Sequence, residues 1–327
     1  LTESSFSPAA IDEEYALVLE QGGMGDVSGR LLLQAEGPDT LRYLHNFTTA
    51  DFKNRAVGDV VEGFVTTDQG RTKAFGVVSV VGRDRVYFDL GATPAEQILA
   101  HFEKYIIVDQ IQWRNVTAEV RQLVLFGARA EAVLEQALRE LGYTEAGLPR
   151  GCWSDGTVLV YRGGFPGVEN AWHLVLPRDC TLPAALQGLR AVSKLLLEAV
   201  RIEQMWPESG IEVTDEHFPQ EFRRDDRAIS FTKGCYLGQE TVARIHTYGH
   251  VNRYLVRILF EGGEPLPEAP VELLDDEGRT VGLVTTVAYV PSLKGVGGLG
   301  FVRRGHETVG TALSWRAAGT TGRARVW

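Results

Sequence analysis

The sequence predicts an α+β protein closed at its C-terminus by a small β-barrel. Over the first two-thirds of its 327 residues, strand-like and helix-like periods alternate without a parallel-sheet rhythm or a fixed internal repeat. From about Val251 the pattern changes to short strands separated by turns, which a barrel closes most simply. A hydrophobic content of 44% with 23% charged residues supplies enough apolar material for two or three compact units. The chain therefore divides into an α+β region over 1–250, read as two interleaved subdomains, and a barrel over 251–327.

After a lead-in containing Ser and Pro, the strand candidates are Leu31–Gln34, Val60–Val65, Phe75–Val81, Val86–Leu90, Leu123–Phe126, Val158–Tyr161 and His173–Leu176. They are short, rich in β-branched or aromatic residues and bounded by glycines, as in packed antiparallel sheets. Helices are expected over Pro38–His45, Ala95–Tyr105, Ala128–Leu141 and Pro183–Glu203; in the third, Val133, Leu134, Ala137, Leu138 and Leu141 recur at helical spacing. The barrel strands are Leu255–Phe260, Val271–Leu274, Arg279–Val287, Leu299–Val302 and Ala312–Trp315, with a turn at Asp276-Glu277-Gly278 and a long loop over Gly262–Pro270.

Several function classes are disfavoured. No run approaches the roughly 18 consecutive apolar residues of a spanning helix, and the start, Leu1-Thr2-Glu3, has neither a basic nor an apolar signal character, so a cytoplasmic protein without a membrane partner is expected. A first residue other than Met reads as the loss of a few leader residues. The formal charge of −10 opposes the basic footprint of a protein that grips phosphate backbones, which makes direct nucleic-acid binding a poor expectation. Cys152, Cys180 and Cys235 lie far apart with no C-x-x-C pair, against a disulfide framework, a zinc site or a self-ligated cluster.

Chemistry concentrates between the fourth helix and the barrel, in Arg201-Ile202-Glu203, Pro219-Gln220-Glu221, Lys233-Gly234-Cys235-Tyr236-Leu237-Gly238-Gln239-Glu240 and Val242-Ala243-Arg244. Gly234 and Gly238 bracket Cys235, and glycines permit the tight loop that would present a thiol. The thiolate is the reactive form, and a cation lowers the free thiol pKa of about 8.5; Lys233, or Arg244 if the chain folds back, is placed to do so. Cys235 is then a nucleophile, a redox sensor or a transient metal–sulfur ligand, against the alternative of a buried thiol packed as a small hydrophobe, the reading favoured for Cys152 and Cys180. His246 and His250, four apart, are read as loop or hydrogen-bonding histidines, because Tyr248-Gly249 interrupts a helix between them.

The string from Lys233 to Glu240 resembles the K-G-C-Y-x-G-Q-E motif of the YgfZ family, whose mitochondrial relatives assist maturation of [4Fe–4S] proteins. The resemblance extends through Gly37-Pro38-Asp39, Thr48-Thr49-Ala50-Asp51 and Lys104-Tyr105. It implies the fold of the glycine-cleavage T-protein, in which two α+β parts and a barrel surround a channel that holds tetrahydrofolate. It further implies Glu203 as a pterin anchor, since a carboxylate accepts two parallel N–H bonds from an aminopyrimidinone edge. The other implied folate contacts are Gln239, Arg244 and the positions of Arg30 and Leu197, where some relatives carry aromatics. Relatives usually continue the anchor as E-A-G; here it reads Glu203-Gln204-Met205. The implied partners are folate and iron–sulfur client or assembly proteins, and the implied role is accessory, with indirect effects on tRNA modification.

Two alternatives stand beside this reading. The T-protein is an aminomethyltransferase that uses aspartates near the folate nitrogen, and the positions matching them are Ala74 and Phe75, which cannot do acid–base work ordinarily contributing roughly 10²–10⁴-fold in rate. Asp68, six positions before Ala74, reads as a turn aspartate. An RNA-binding tRNA-modification protein is the other alternative; Arg303, Arg304, Arg316, Arg323 and Arg325 stud the barrel, but acidic residues are interspersed among them.

Overall fold

The computed structural model describes residues 7–143, 148–262 and 267–327. Part of the expected loop Gly262–Pro270 and the first six residues lie outside the described residues.

A five-stranded antiparallel sheet runs in the order Val60–Thr66, Thr72–Val80, Arg85–Asp89, Leu32–Glu36, Gln112–Asn115. Period-2 alternation gives it two apolar faces. Leu33, Val65, Val78 and Phe88 pack under helices Thr40–Phe47 and Ala95–Glu103, which contribute Tyr43, Leu44, Ile98 and Phe102. Leu32, Phe64, Phe75, Val77 and Tyr87 point into the middle of the molecule.

A second sheet has six strands in the order Arg190–Ala191, Gly23–Asp26, Val120–Phe126, Trp172–Pro177, Leu159–Arg162, Cys152–Ser154. Helix Ala130–Glu140 covers its outer face through Leu134, Ala137 and Leu138, the stripe read from the sequence. Its inner face brings Val124, Tyr161 and Val175 into the same central core as the first sheet. The barrel closes six antiparallel strands between Arg253 and Val326, which removes free sheet edges. Gly300 is required there, because a Cβ would fall 2.3 Å from the Leu283 carbonyl oxygen of the neighbouring strand.

Three departures from the sequence reading have local causes. The lead-in forms a helix, Pro8–Gln21, with proline in its first turn, where a missing N–H costs nothing. The single helix expected over Pro183–Glu203 is broken: Ala184–Gln187 stops at Gly188, Arg190–Ala191 pairs in parallel with Gly23 and Met24, and Ser193 caps a new helix, Lys194–Glu203, by accepting from the Leu196 amide. A further helix, Gln239–Tyr248, begins immediately after the cysteine loop. Among the described residues no helix is long and apolar enough to cross a membrane.

The stretch Trp206–His217 ties the units together. Ser209 Oγ bridges the backbone of Phe75 in the first sheet, accepting from its N–H at 2.8 Å and donating to its carbonyl at 3.0 Å. Glu208 accepts from the Ala92 amide and from Arg30. Glu212 joins Arg201 to Thr286 of the barrel.

Candidate functional site

The cysteine loop is fastened to the first sheet and its helix. The Ser230 amide donates to the Thr49 carbonyl at 2.9 Å, the Leu237 amide to Asn46 at 2.8 Å, and Thr66 Oγ1 to the Leu237 carbonyl at 2.6 Å. Lys233 is buried, and its ammonium donates to the carbonyls of His45, Thr48 and Ala50, the last two at 2.7 Å, with the Tyr236 ring 4.5 Å away. Burial lowers its pKa to about 7, partly opposed by Asp51. Gly238 takes φ 81°, and a Cβ there would fall 2.3 Å from the Thr67 carbonyl oxygen, so the turn into helix Gln239–Tyr248 needs glycine.

On this scaffold Cys235 is exposed, whereas Cys152 is buried and Cys180 is half-buried. Burial pushes the Cys152 thiol up to about 12. Lys233 has a task other than the expected one: its three donors are engaged by backbone carbonyls, so it anchors the loop rather than pairing with the thiol. Arg244 is exposed on helix Gln239–Tyr248 and lines a separate cleft of about 410 Å³ with Phe218, Tyr248 and His250. His246 lies on that helix, stacked 3.7 Å from Phe231, and His250 follows the helix end. Among the described residues no group of three His, Cys, Asp or Glu side chains could hold a metal ion.

The centre, where the resemblance puts a folate channel, is filled by the protein's own charges. Arg30 reaches Glu208 at 2.8 Å and Asp89 at 3.4 Å, and its guanidinium lies 4.2 Å over the Phe165 ring. Burial alone would lower the Arg30 pKa, but Asp89 and Glu208 outweigh it and hold the cation above its ordinary value. Tyr161 donates to Asp89 at 2.8 Å and stacks on His173, whose Nε2 meets the Phe165 carbonyl oxygen at 2.8 Å. Burial depresses the His173 pKa to about 4, so the ring is neutral near pH 7. A second buried cluster joins Arg201 to Glu198, Glu212 and Thr286.

The residues expected to contact folate are not brought together. Arg30 belongs to the central cluster, and Leu197 is a core side chain under Gly25. Glu203 accepts from Tyr15 Oη at 3.2 Å, next to the barrel residue Arg257, which bonds its carbonyl. Gln239 opens the helix after the cysteine loop. Ala74 and Phe75 are buried, and Phe75 packs 4.8 Å from Phe64 and 5.0 Å from Trp206. Asp68 sits in the exposed turn between two strands.

Beside the centre, between the sheets, lies a cavity of about 510 Å³ that sequence reasoning missed. Val60 and Val77 of the first sheet and Trp206 form its apolar wall, and Arg150, Arg162 and Arg227 supply cations around it. Its one sequence signal is the glycine density of Gly163-Gly164-Phe165-Pro166-Gly167, whose glycines all take positive φ.

Comparison with known proteins places this architecture. The protein is 23% identical to a putative chloroplastic transferase of Arabidopsis thaliana, over 86% of this chain and 65% of that one, and thus spans about two-thirds of that relative's length. It is 25% identical to the tRNA-modifying protein YgfZ of Colwellia psychrerythraea, over 76% of this chain and 72% of that protein. The crystal structure of glycine cleavage system aminomethyltransferase T from Bartonella henselae superposes with a TM-score of 0.80 at 19% identity, covering 97% of this chain and 88% of that one, which shows the fold. The profile of the family described as the GCVT N-terminal domain matches residues 3–231, more than half of the chain, and on that match the protein belongs to the GCVT domain family.

Proposed function

We propose that this protein is an accessory factor of the YgfZ type, which binds a reduced folate and supports the assembly or repair of iron–sulfur proteins through Cys235, without transferring an aminomethyl group. The observation that carries the reading is the cysteine loop: Lys233 and two backbone pairs fasten a K-G-C-Y-x-G-Q-E segment so that its thiol alone of three is exposed. The similarity to a tRNA-modifying YgfZ protein points the same way. Aminomethyl transfer is the weaker reading because Ala74 and Phe75 are buried among aromatics, leaving no titratable side chain at the positions matched to the T-protein aspartates.

The residues bear on folate unevenly. The central space is packed with ion pairs and does not fit a ligand of that size, whereas the cavity between the sheets is lined by the Asp59 carboxylate, an acceptor for an aminopyrimidinone, and by guanidinium groups for a glutamate tail; Glu62 on the same lining is already held by Arg224. Bound there, folate would supply one-carbon chemistry; the chain's own contribution is to orient it. A cytoplasmic setting belongs to the same proposal.

Two measurements test it. Tetrahydrofolate and 5-formyltetrahydrofolate titrated into the purified protein should bind in the micromolar range or tighter, with no ammonia released from an aminomethylated carrier protein. In cells lacking the protein, [4Fe–4S] enzyme activity should be restored by the wild type and not by Cys235→Ser. Full rescue by Cys235→Ser, or turnover at about 1 per second or faster on the carrier, would overturn the reading.

A further inference from the structure

We propose that the cleft along helix Gln239–Tyr248 is a docking groove for an acidic, extended peptide segment of a partner protein, one that carries a large apolar side chain among its carboxylates. The inference deepens the accessory reading, in which Cys235 acts on such a partner, by saying where and by which groups the partner is held.

One face of this helix is left without packing. Thr241, Arg244, Ile245 and Tyr248 recur at i, i+3, i+4 and i+7 and line the cleft of about 410 Å³ together with Phe218, while Val242 on another side is fully buried. Tyr248 is 89% exposed, and Ile245 and Phe218 are half-buried. An aromatic ring standing clear of the surface beside an exposed arginine belongs to the residue types on which protein contacts most depend. From Thr241 to Tyr248 the helix rises about 10 Å, the length of three to four extended residues. The same helix begins four residues after Cys235, so a segment seated there is held by the element that leads out of the thiol's own loop.

The charges select the kind of segment. Among the described residues the Arg244 side chain has no hydrogen-bond or ion-pair partner, and His250 shares the lining with it. Arg71 adds a further cation, 4.0 Å over the Phe218 ring. The carboxylate of the lining, Glu221, is 3% exposed and already answered: His217 Nδ1 at 2.9 Å and Arg253 Nε at 2.8 Å both meet its Oε2. Among the described residues nothing donates to its Oε1, which is an acceptor suited to a backbone N–H of an extended chain. The groove thus presents cations for carboxylates, one acceptor for a peptide N–H and an apolar wall of Phe218, Ile245 and Tyr248. A basic segment would set its charges against Arg244 and Arg71. Screening limits exposed charges to about 8 Å at physiological salt, so the local cations outweigh the net charge of −10.

The test uses four fluorescein-labelled hexapeptides, acidic or basic, each with Phe or Ser at the centre, read by anisotropy on the full chain. The acidic Phe peptide should bind at least about tenfold more tightly than the other three, and rising salt should weaken it. Arg244→Glu should weaken this peptide by about tenfold or more, the value of a lost charge-assisted contact. Tyr248→Ser should abolish the advantage of Phe over Ser and leave the preference for acid in place. Arg325→Glu makes the same change of charge at an exposed barrel position paired with Leu259, at the opposite end of strand Arg253–Phe260 from Arg253, and should alter affinity less than twofold. Arg244 and Tyr248 are exposed, and unchanged circular-dichroism melts confirm that their variants are folded. Equal binding of acidic and basic peptides, or acidic binding that ignores both Arg244→Glu and Tyr248→Ser, would overturn the groove whatever Cys235 does. Peptide binding as expected, together with full rescue of [4Fe–4S] enzymes by Cys235→Ser, would keep the groove and overturn the accessory reading.

Discussion

Arg30 and Lys233 are both cations taken out of water, but their partners differ. Arg30 faces two carboxylates, and Arg201 in the neighbouring cluster likewise faces Glu198 and Glu212. Lys233 faces three neutral carbonyl oxygens. A carboxylate returns a full charge against the desolvation cost, and each arginine is held above its ordinary pKa. Carbonyl dipoles return less, and burial takes Lys233 down to about 7. The centre is consequently fixed in one charge state across the physiological range, while the loop that carries Cys235 rests on a group able to titrate within it.

The largest effect should come from breaking the centre. Arg201 and Glu212 are fully buried and 2.7 Å apart, so Arg201→Met should cost about 3–5 kcal/mol by urea unfolding, because it leaves the Glu212 carboxylate without its counter-ion. Adding Glu212→Leu should recover part of the loss. A change below about 1 kcal/mol for the single variant would show that Thr285, Thr286 and the Glu208 amide suffice for that carboxylate.

The next effect is the one point where acid can enter the centre. His173 has a folded pKa of about 4 because burial disfavours its charged form, against an ordinary value of 6.5. The folded value is the lower one, so its contribution is complete above about pH 6.5 and is lost as pH falls through 4. The difference amounts to about 3 kcal/mol between pH 7 and pH 4. Urea midpoints of wild type and His173→Gln should converge as pH falls over that interval; parallel curves would mean that water or a rearranged neighbour already solvates the imidazole.

These contrasts also explain what was legible in the sequence. Strands such as Val60–Thr66 and the buried stripe of Ala130–Glu140 follow from local periodicity, and so does the barrel. The helix Pro8–Gln21 was hidden because its apolar stripe is sparse, only Ile11 and Val18 being buried. At the site, the motif announced an exposed Cys235, but a lysine beside a cysteine in sequence says nothing of where its ammonium goes; that is set by carbonyls some 185 positions away. For the same reason, Arg30 and Glu208 look like surface charges in sequence and become interior partners only through a separation of 178 positions. The cavity between the sheets is assembled from loops of both, and only the glycines at 163, 164 and 167 hinted at it.

The smallest effect is local and tests the loop side of the comparison. When the loop opens, Lys233 returns to water and to a pKa near 10.5; docked, burial holds it at about 7. The docked value is the lower one, so this residue's contribution to docking is complete above about 10.5 and is lost as pH falls through 7. The charged groups facing it are Asp51, which favours the ammonium, and His45, whose own pKa is lowered first by burial and then by Lys233. Amide exchange of Ser230 and Leu237, whose N–H groups bond Thr49 and Asn46, reports the opening once corrected for intrinsic rates. Protection should rise from pH 7 to pH 9 in the wild type by up to about fiftyfold, the ratio that pKa values of about 7 and 10.5 give, and stay level in Lys233→Met. If Lys233→Met keeps the wild-type slope, another group carries the titration. If neither protein shows a slope, the three carbonyls compensate the ammonium as fully as carboxylates would, and the distinction between the loop and the centre disappears.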